Sequence, residues 1–156
     1  METLKALGSP ETIGACLENA ERIALDTSVF IYAFERHPQF GAPAQRVFQA
    51  LEEGRCQGVA SVLALGEILT GVRRTQNAEL LLRYRDVLTR FPNLTLLDAN
   101  VAVMEAMAEL RARYSLATPD VIHLATALVG SARAFVTNDV RLRQVKELEV
   151  ILLSEW

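Results

Sequence analysis

The run Arg22-Ile23-Ala24-Leu25-Asp26-Thr27-Ser28-Val29-Phe30-Ile31 decides the fold. Its first residues are apolar and few enough to form one strand. The run then ends in a carboxylate, two hydroxyls follow, and Val29, Phe30, Ile31 and Phe34 continue at helical spacing. A strand that turns straight into a helix is the opening of a βαβ unit. In an open parallel sheet, ligands bind beyond the carboxyl ends of the strands. Asp26 stands at such an exit, although Asp-Thr-Ser is also an ordinary helix N-cap.

Outward from this stretch the pattern repeats. On the amino-terminal side, Ser9-Pro10-Glu11 has the order of N-cap, N1 proline and first-turn acid, predicting a short helix over about 10–20. Residues 1–20 are read as a helical extension and 21–156 as the domain. Downstream, His37-Pro38 stops the first helix, expected over about 28–35. Pro43 starts a second helix that uses Ala44, Val47, Phe48 and Leu51 and ends at Gly54. Cys56–Ala60 reads as a strand, Ser61 caps a helix to about Val72, and Asn77 opens a leucine-rich helix to about Arg90.

Leu94–Leu97 is a third strand, and 99–114 an amphipathic helix using Val103, Met104, Met107 and Leu110. Thr118 as N-cap and Pro119 at N1 open a helix over Asp120–Val129 that is apolar nearly all round, hence buried. Ala134–Thr137 and Glu149–Leu153 are the last two strands, with a short helix starting at Asn138-Asp139. Strands alternating with helices give an α/β fold: one domain with a central parallel sheet of about five strands and helices on both faces.

Composition agrees with a globular domain. The chain has 156 residues, 51% hydrophobic and 22% charged. No apolar run approaches the roughly 18 residues of a membrane span. Met1–Ala20 carries Glu2, Glu11 and Glu18 and lacks the charged-then-apolar order of a secretion signal. Cys16 and Cys56 have no metal or redox spacing. A reduced, cytoplasmic protein without membrane attachment is expected. Net charge is −3, which argues against a nucleic-acid partner at first sight. Yet of the 16 basic residues only Lys5 and Lys146 are lysines, and arginine is the better bidentate phosphate ligand.

Three further acids fall at informative places. Asp139 follows the fourth strand as Asp26 follows the first, so parallel strands put both on one edge of the sheet. Asp120 lies in the first turn of the apolar helix, where the helix dipole favours an acid in any case. Glu67 sits mid-helix opposite the expected apolar face of Val62, Leu65, Ile68, Leu69 and Val72. It stands among Ala64, Gly66, Thr70 and Gly71, small residues that admit close approach. An isolated surface glutamate is the ordinary alternative. Four carboxylates brought together raise one another's pKa unless a cation neutralises them. An all-oxygen set favours Mg²⁺ or Mn²⁺ over zinc.

The order Leu25-Asp26-Thr27-Ser28, Ser61…Gly66-Glu67, Pro119-Asp120-Val121-Ile122-His123-Leu124-Ala125-Thr126-Ala127 and Val136-Thr137-Asn138-Asp139 resembles the PIN-domain nucleases. It looks most like the VapC-type toxins of type II toxin–antitoxin pairs, over about residues 22–154. The resemblance implies a Mg²⁺- or Mn²⁺-dependent endoribonuclease that attacks RNA phosphodiesters in line with metal-activated water. Asp26 and Asp120 would be the main metal ligands, and Glu67 and Asp139 would complete the catalytic acid site. Ser28 and Thr137 would be supporting hydroxyls.

The resemblance also implies a homodimer and silencing by a cognate antitoxin. Two features depart from it. About 25 residues precede the first Asp, more than is usual in these toxins, and His123 stands one turn after Asp120, where it reads as a packed or hydrogen-bonded side chain. Arg73, Arg74, Arg141 and Arg143 flank the acid-bearing segments and are the candidate RNA contacts. A catalytically silent PIN-like RNA-binding or scaffold domain, or a PIN nuclease outside the toxin class, is the alternative. A haloacid-dehalogenase-type phosphatase needs a second Asp where Ser28 stands, and a nucleotide-binding module needs a glycine-rich loop that is absent.

Overall fold

The computed structural model describes Gly14 and residues 21–155. The helix expected over 10–20 therefore falls, Gly14 excepted, outside the described residues. The elements are β1 (Arg22–Leu25), α1 (Thr27–Phe34), α2 (Gly41–Glu52), β2 (Gln57–Ser61), α3 (Val62–Arg73), α4 (Ala78–Arg90), β3 (Leu94–Leu97), α5 (Val101–Arg113), α6 (Thr118–Val129), β4 (Ala134–Thr137) and β5 (Glu149–Leu152). Short 3₁₀ turns occupy Val140–Gln144 and Leu153–Glu155.

All five strands are parallel, in the order β3-β2-β1-β4-β5. β1 is central, and the chain leaves it first towards β2 and later returns on its other side as β4. That reversal puts the topological switch point, the usual ligand crevice, between the carboxyl ends of β1 and β4. The Asp26 N–H donates to Val136 O at 3.0 Å, which carries the β1–β4 ladder up to the carboxylate itself.

Alternation along the strands divides the core in two. Ile23, Leu25, Ala134, Val136 and Ile151 face one side with Val29 and Phe30 of α1 and Val47, Phe48 and Leu51 of α2. Ala24, Phe135, Val150 and Leu152 face the other with Val103 and Leu110 of α5 and Val121 and Leu124 of α6. The register pairs Ile23 with Ala134 and Ala24 with Phe135, so a one-residue slip would turn each face inside out. Each fully buried Leu, Ile or Phe contributes about 1.5–3 kcal/mol of hydrophobic stabilisation. Gly54, at φ +72°, lets the chain turn out of α2 into β2.

Several boundaries differ from expectation. α2 begins at Gly41 rather than Pro43, because the Gly41 N–H donates to His37 O and Pro43 fits within the first turn, where no N–H is needed. α6 begins at Thr118, capped by Ala117 without a side-chain bond. The Thr118 hydroxyl is not the cap but a partner of the Arg111 guanidinium. In α3 the buried stripe is Ala64, Ile68 and Val72, while Leu65 only packs against the core edge. Ala64 thus belongs to the core, and Glu67 borders the buried stripe rather than opposing it.

Candidate acid site

Asp26 caps α1 in an extended conformation, with Oδ1 accepting the Thr27 N–H at 2.8 Å. Its Oδ2 accepts from the Thr137 hydroxyl at 2.6 Å and more weakly from the Ser28 hydroxyl at 3.4 Å. Thr137 is fully buried at the end of β4, and its oxygen also accepts the Asp139 N–H at 3.1 Å. One hydroxyl thereby fixes two acids from the two strands that flank the switch point. The expected orienting part of Ser28 and Thr137 falls mostly to Thr137.

Asp139 caps the 3₁₀ turn, accepting the Arg141 N–H at 3.0 Å. The Arg141 guanidinium grips the same carboxylate through Nε to Oδ1 at 3.0 Å and Nη2 to Oδ2 at 2.5 Å, a fork geometry. Hydrogen bonding from that guanidinium is the main reason the Asp139 carboxyl lies below its ordinary value, and its positive charge adds to the effect. Arg141 Nη2 also stands 3.8 Å from Asp120 Oδ2.

Asp120, in the first turn of α6, is displaced the other way. Burial pushes its carboxyl above the ordinary value, and the negative charges of Asp26 and Asp139 push it further, against the opposing effects of Arg141 and His123. Three carboxylates from β1, α6 and the end of β4 therefore share one electrostatic field. An open pocket of about 520 Å³ adjoins them, lined by Asp26, Ser28, Tyr32, Asn138, Asp139, Val140 and Arg141.

Glu67 is tied through a histidine to α6, the helix that bears Asp120. His123 is buried at 2% side-chain exposure, and its Nε2 lies 2.8 Å from Glu67 Oε1 and 3.2 Å from Thr27 Oγ1. Nδ1 is buried without a partner among the described residues. An ionised Glu67 requires Nε2 to carry the proton and donate, so the imidazole ties α3 to α6 beside the Asp26 cap. Glu67 remains 40% exposed. The sequence signal was present in His123, three residues after Asp120 and hence on its helical face. Its partner, 56 residues away, was not.

Of the candidate arginines, only Arg141 is in the acid site. Arg143 pairs with Glu155 in the last 3₁₀ turn. Arg73 and Arg74 end α3, with Arg73 about 9 Å further along the axis than Glu67 at 1.5 Å per residue. A Cβ built on Gly66 or Gly71 would meet nothing within 4 Å, so these two glycines leave open surface and meet no other described residue closely. Burial pushes the Cys56 thiol up to about 11, which leaves it inert at neutral pH.

The donor set suits a hard divalent cation: the ligands are carboxylate oxygens, and the charges of Asp26 and Asp139 act on Asp120. As the side chains stand, no three His, Cys, Asp or Glu among the described residues converge closely enough to hold an ion. Asp139 is turned to Arg141 and Glu67 to His123.

The PIN-domain family model matches residues 23–148, a span that includes Asp26, Glu67, Asp120 and Asp139. The chain belongs to the PIN-domain family. Solved structures share its fold at low sequence identity. VapBC2 from Rickettsia felis, crystallised with a DNA fragment from its promoter, has a TM-score of 0.68 and 20% identity, covering 84% of this chain and 98% of that one. VapBC-1 from nontypeable Haemophilus influenzae gives 0.65 and 22%, covering 85% and 98%. DNA-bound VapBC from Salmonella typhimurium gives 0.68 and 16%, again covering 85% and 98%. A search of curated proteins returns no match. No helix among the described residues of this PIN domain is long and apolar enough to cross a membrane.

Proposed function

We propose that this PIN domain is a Mg²⁺- or Mn²⁺-dependent endoribonuclease and the toxin of a toxin–antitoxin pair. The observation that carries the reading is the placement of Asp26 and Asp139 on one buried threonine hydroxyl at the β1–β4 switch point, near enough to Asp120 that their charges, after burial, raise its carboxyl. Asp26 and Asp120 would hold the cation, with Asp139 and Glu67 completing the site. When bound, such a cation polarises a phosphoryl oxygen and makes water a stronger nucleophile.

The chain's own residues do the rest. The Thr137 hydroxyl fixes the Asp26 carboxylate, His123 holds Glu67 by its Nε2, and Arg141 supplies a guanidinium at the pocket edge able to meet an RNA phosphate. The VapBC neighbours support an antitoxin partner for this chain; a homodimer in a reduced cytoplasm belongs to the toxin reading itself.

A catalytically silent RNA-binding domain is the competing reading. It is favoured by the engagement of Asp139 with Arg141 and of Glu67 with His123. Incubating an end-labelled mixed RNA pool with Mn²⁺ separates the two. The nuclease reading expects cleavage by wild type and none by Asp120→Asn. Retention of RNA without cleavage by either protein supports the silent domain.

A further inference from the structure

The pocket beside the acids has a wall that metal and phosphate chemistry does not require. Tyr32 lies one turn after Ser28 on α1, so both project from the same helical face into that pocket. Its ring is braced from behind. The His37 ring stands edge-on to it at 4.9 Å, Phe40 lies at 5.3 Å, and His37 and Phe40 stack on each other at 5.0 Å. The brace is fixed by the backbone, since His37 Nδ1 accepts the N–H groups of Gln39 and Phe40, both at 3.1 Å.

Val140 lines the same pocket at 63% exposure, an aliphatic side chain presented to solvent between two charged residues. Ser28 and Asn138 add polar groups, and the Asn138 Oδ1 is already committed to the Ser154 N–H, which leaves the amide nitrogen as the outward donor. A volume of about 520 Å³ lies within the roughly 300–1,000 Å³ of small-ligand sites.

An immobilised aromatic ring, an exposed aliphatic side chain and a few polar groups match a ligand with a flat apolar face and a hydrogen-bonding edge. The neighbouring Arg141 guanidinium suits a ligand that continues into a phosphate. Unpaired nucleobases of RNA meet these conditions, because they stack on aromatic side chains while their edges stay available for hydrogen bonds. We propose that Tyr32, braced by His37 and Phe40, is a stacking platform for a nucleobase next to the scissile phosphate, with Val140 closing the same subsite. The proposal rests on the ribonuclease reading and adds to it a base-holding subsite that restricts cleavage to single-stranded segments.

The test is binding of a labelled single-stranded RNA in EDTA, where no cleavage intervenes, followed by fluorescence anisotropy. A stacked base lost by truncation weakens binding by about 5- to 150-fold. Tyr32→Ala should fall in that range, and Tyr32→Phe should bind within about twofold of wild type, since the ring and not the hydroxyl carries the contact. Tyr32→Leu keeps apolar bulk against His37 and Phe40 and should bind as weakly as Tyr32→Ala. On the same RNA with abasic residues throughout, wild type and Tyr32→Ala should bind alike.

Equal binding by wild type and Tyr32→Ala on intact RNA overturns the platform while leaving the nuclease reading in place. An equal loss on abasic RNA assigns Tyr32 a structural role and also overturns it. If wild type neither binds nor cuts RNA, the ribonuclease reading fails, and the platform with it.

Discussion

The two ends of β1 and β4 make opposite use of charge. At the amino ends, Glu21 pairs with Arg133 across the strands, and the Arg22 guanidinium donates to Gly130 O at 2.9 Å. The Glu21 carboxylate there meets a guanidinium, and the second guanidinium meets a backbone carbonyl. At the carboxyl ends, Asp139 and, at 3.8 Å, Asp120 face the Arg141 guanidinium, which is 67% exposed and screened by solvent, while the negative charge of Asp26 adds to the same field. The same sheet, with the same register, carries a cross-strand ion pair at one edge and an excess of carboxylates at the other. Surplus negative charge costs stability, and perturbed carboxylates of this kind cluster at functional sites, which is why the proposed function is placed at that edge.

Neutralising an acid at the carboxyl edge should have the largest effect. Asp26→Asn or Asp120→Asn is expected to lower Mn²⁺-supported RNA cleavage by at least about 100-fold, the scale of losing one electrostatic stabiliser of a transition state. Arg133→Ala at the amino edge should leave cleavage within about twofold while loosening the Glu21 pair, a surface interaction of about 0.2–1 kcal/mol. Comparable losses at both edges would erase the contrast.

Thr137→Val comes next. It keeps the shape but removes the hydroxyl that serves Asp26 and Asp139 in a fully buried position. Chemical denaturation should show a loss of about 1–3 kcal/mol. The acidity of the site supplies a subtler test. Because the folded Asp120 carboxyl lies above its ordinary value of 3.8, its contribution favours folding fully below that pH and is lost as pH rises through the raised value. Asp139, held below 3.8, contributes the reverse: stability present above that pH and lost as pH falls through the lowered value. Asp120→Asn should therefore melt above wild type at pH 7, with the gap closing on acidification. A gap independent of pH would mean that the Asp120 carboxylate is not the strained group.

The smallest effect belongs to the open face of α3. Gly71→Ala meets no atom within 4 Å, so thermal melting should show a stabilisation of about 0.5–1 kcal/mol from helix propensity alone. RNA cleavage by the same variant reports whether that face touches substrate.

Much of this contrast was readable along the chain. β3 and β4 lie at their expected residues, because short apolar runs bounded by turn residues leave little choice. Asp26 and Asp139 could be placed on one edge from the two strand exits alone. What escaped was long-range or conformational. The His123–Glu67 bond joins residues 56 apart, and no local period encodes it. Arg141 is two residues from Asp139, but its fork onto that carboxylate depends on the 3₁₀ turn between them. The stripe of α3 was misjudged because Ala64, being small, carries little periodic signal although it is buried against the sheet.

Mn²⁺ binding tests the central claim most directly, read as the loss of the free-ion electron paramagnetic resonance signal on titration with protein. If the carboxyl edge is a cation site, wild type takes up Mn²⁺ saturably, and Asp120→Asn binds at least about tenfold more weakly with its fold intact. Superimposable titrations of the two proteins would contradict the account, since the three carboxylates would then have a role other than holding a divalent ion.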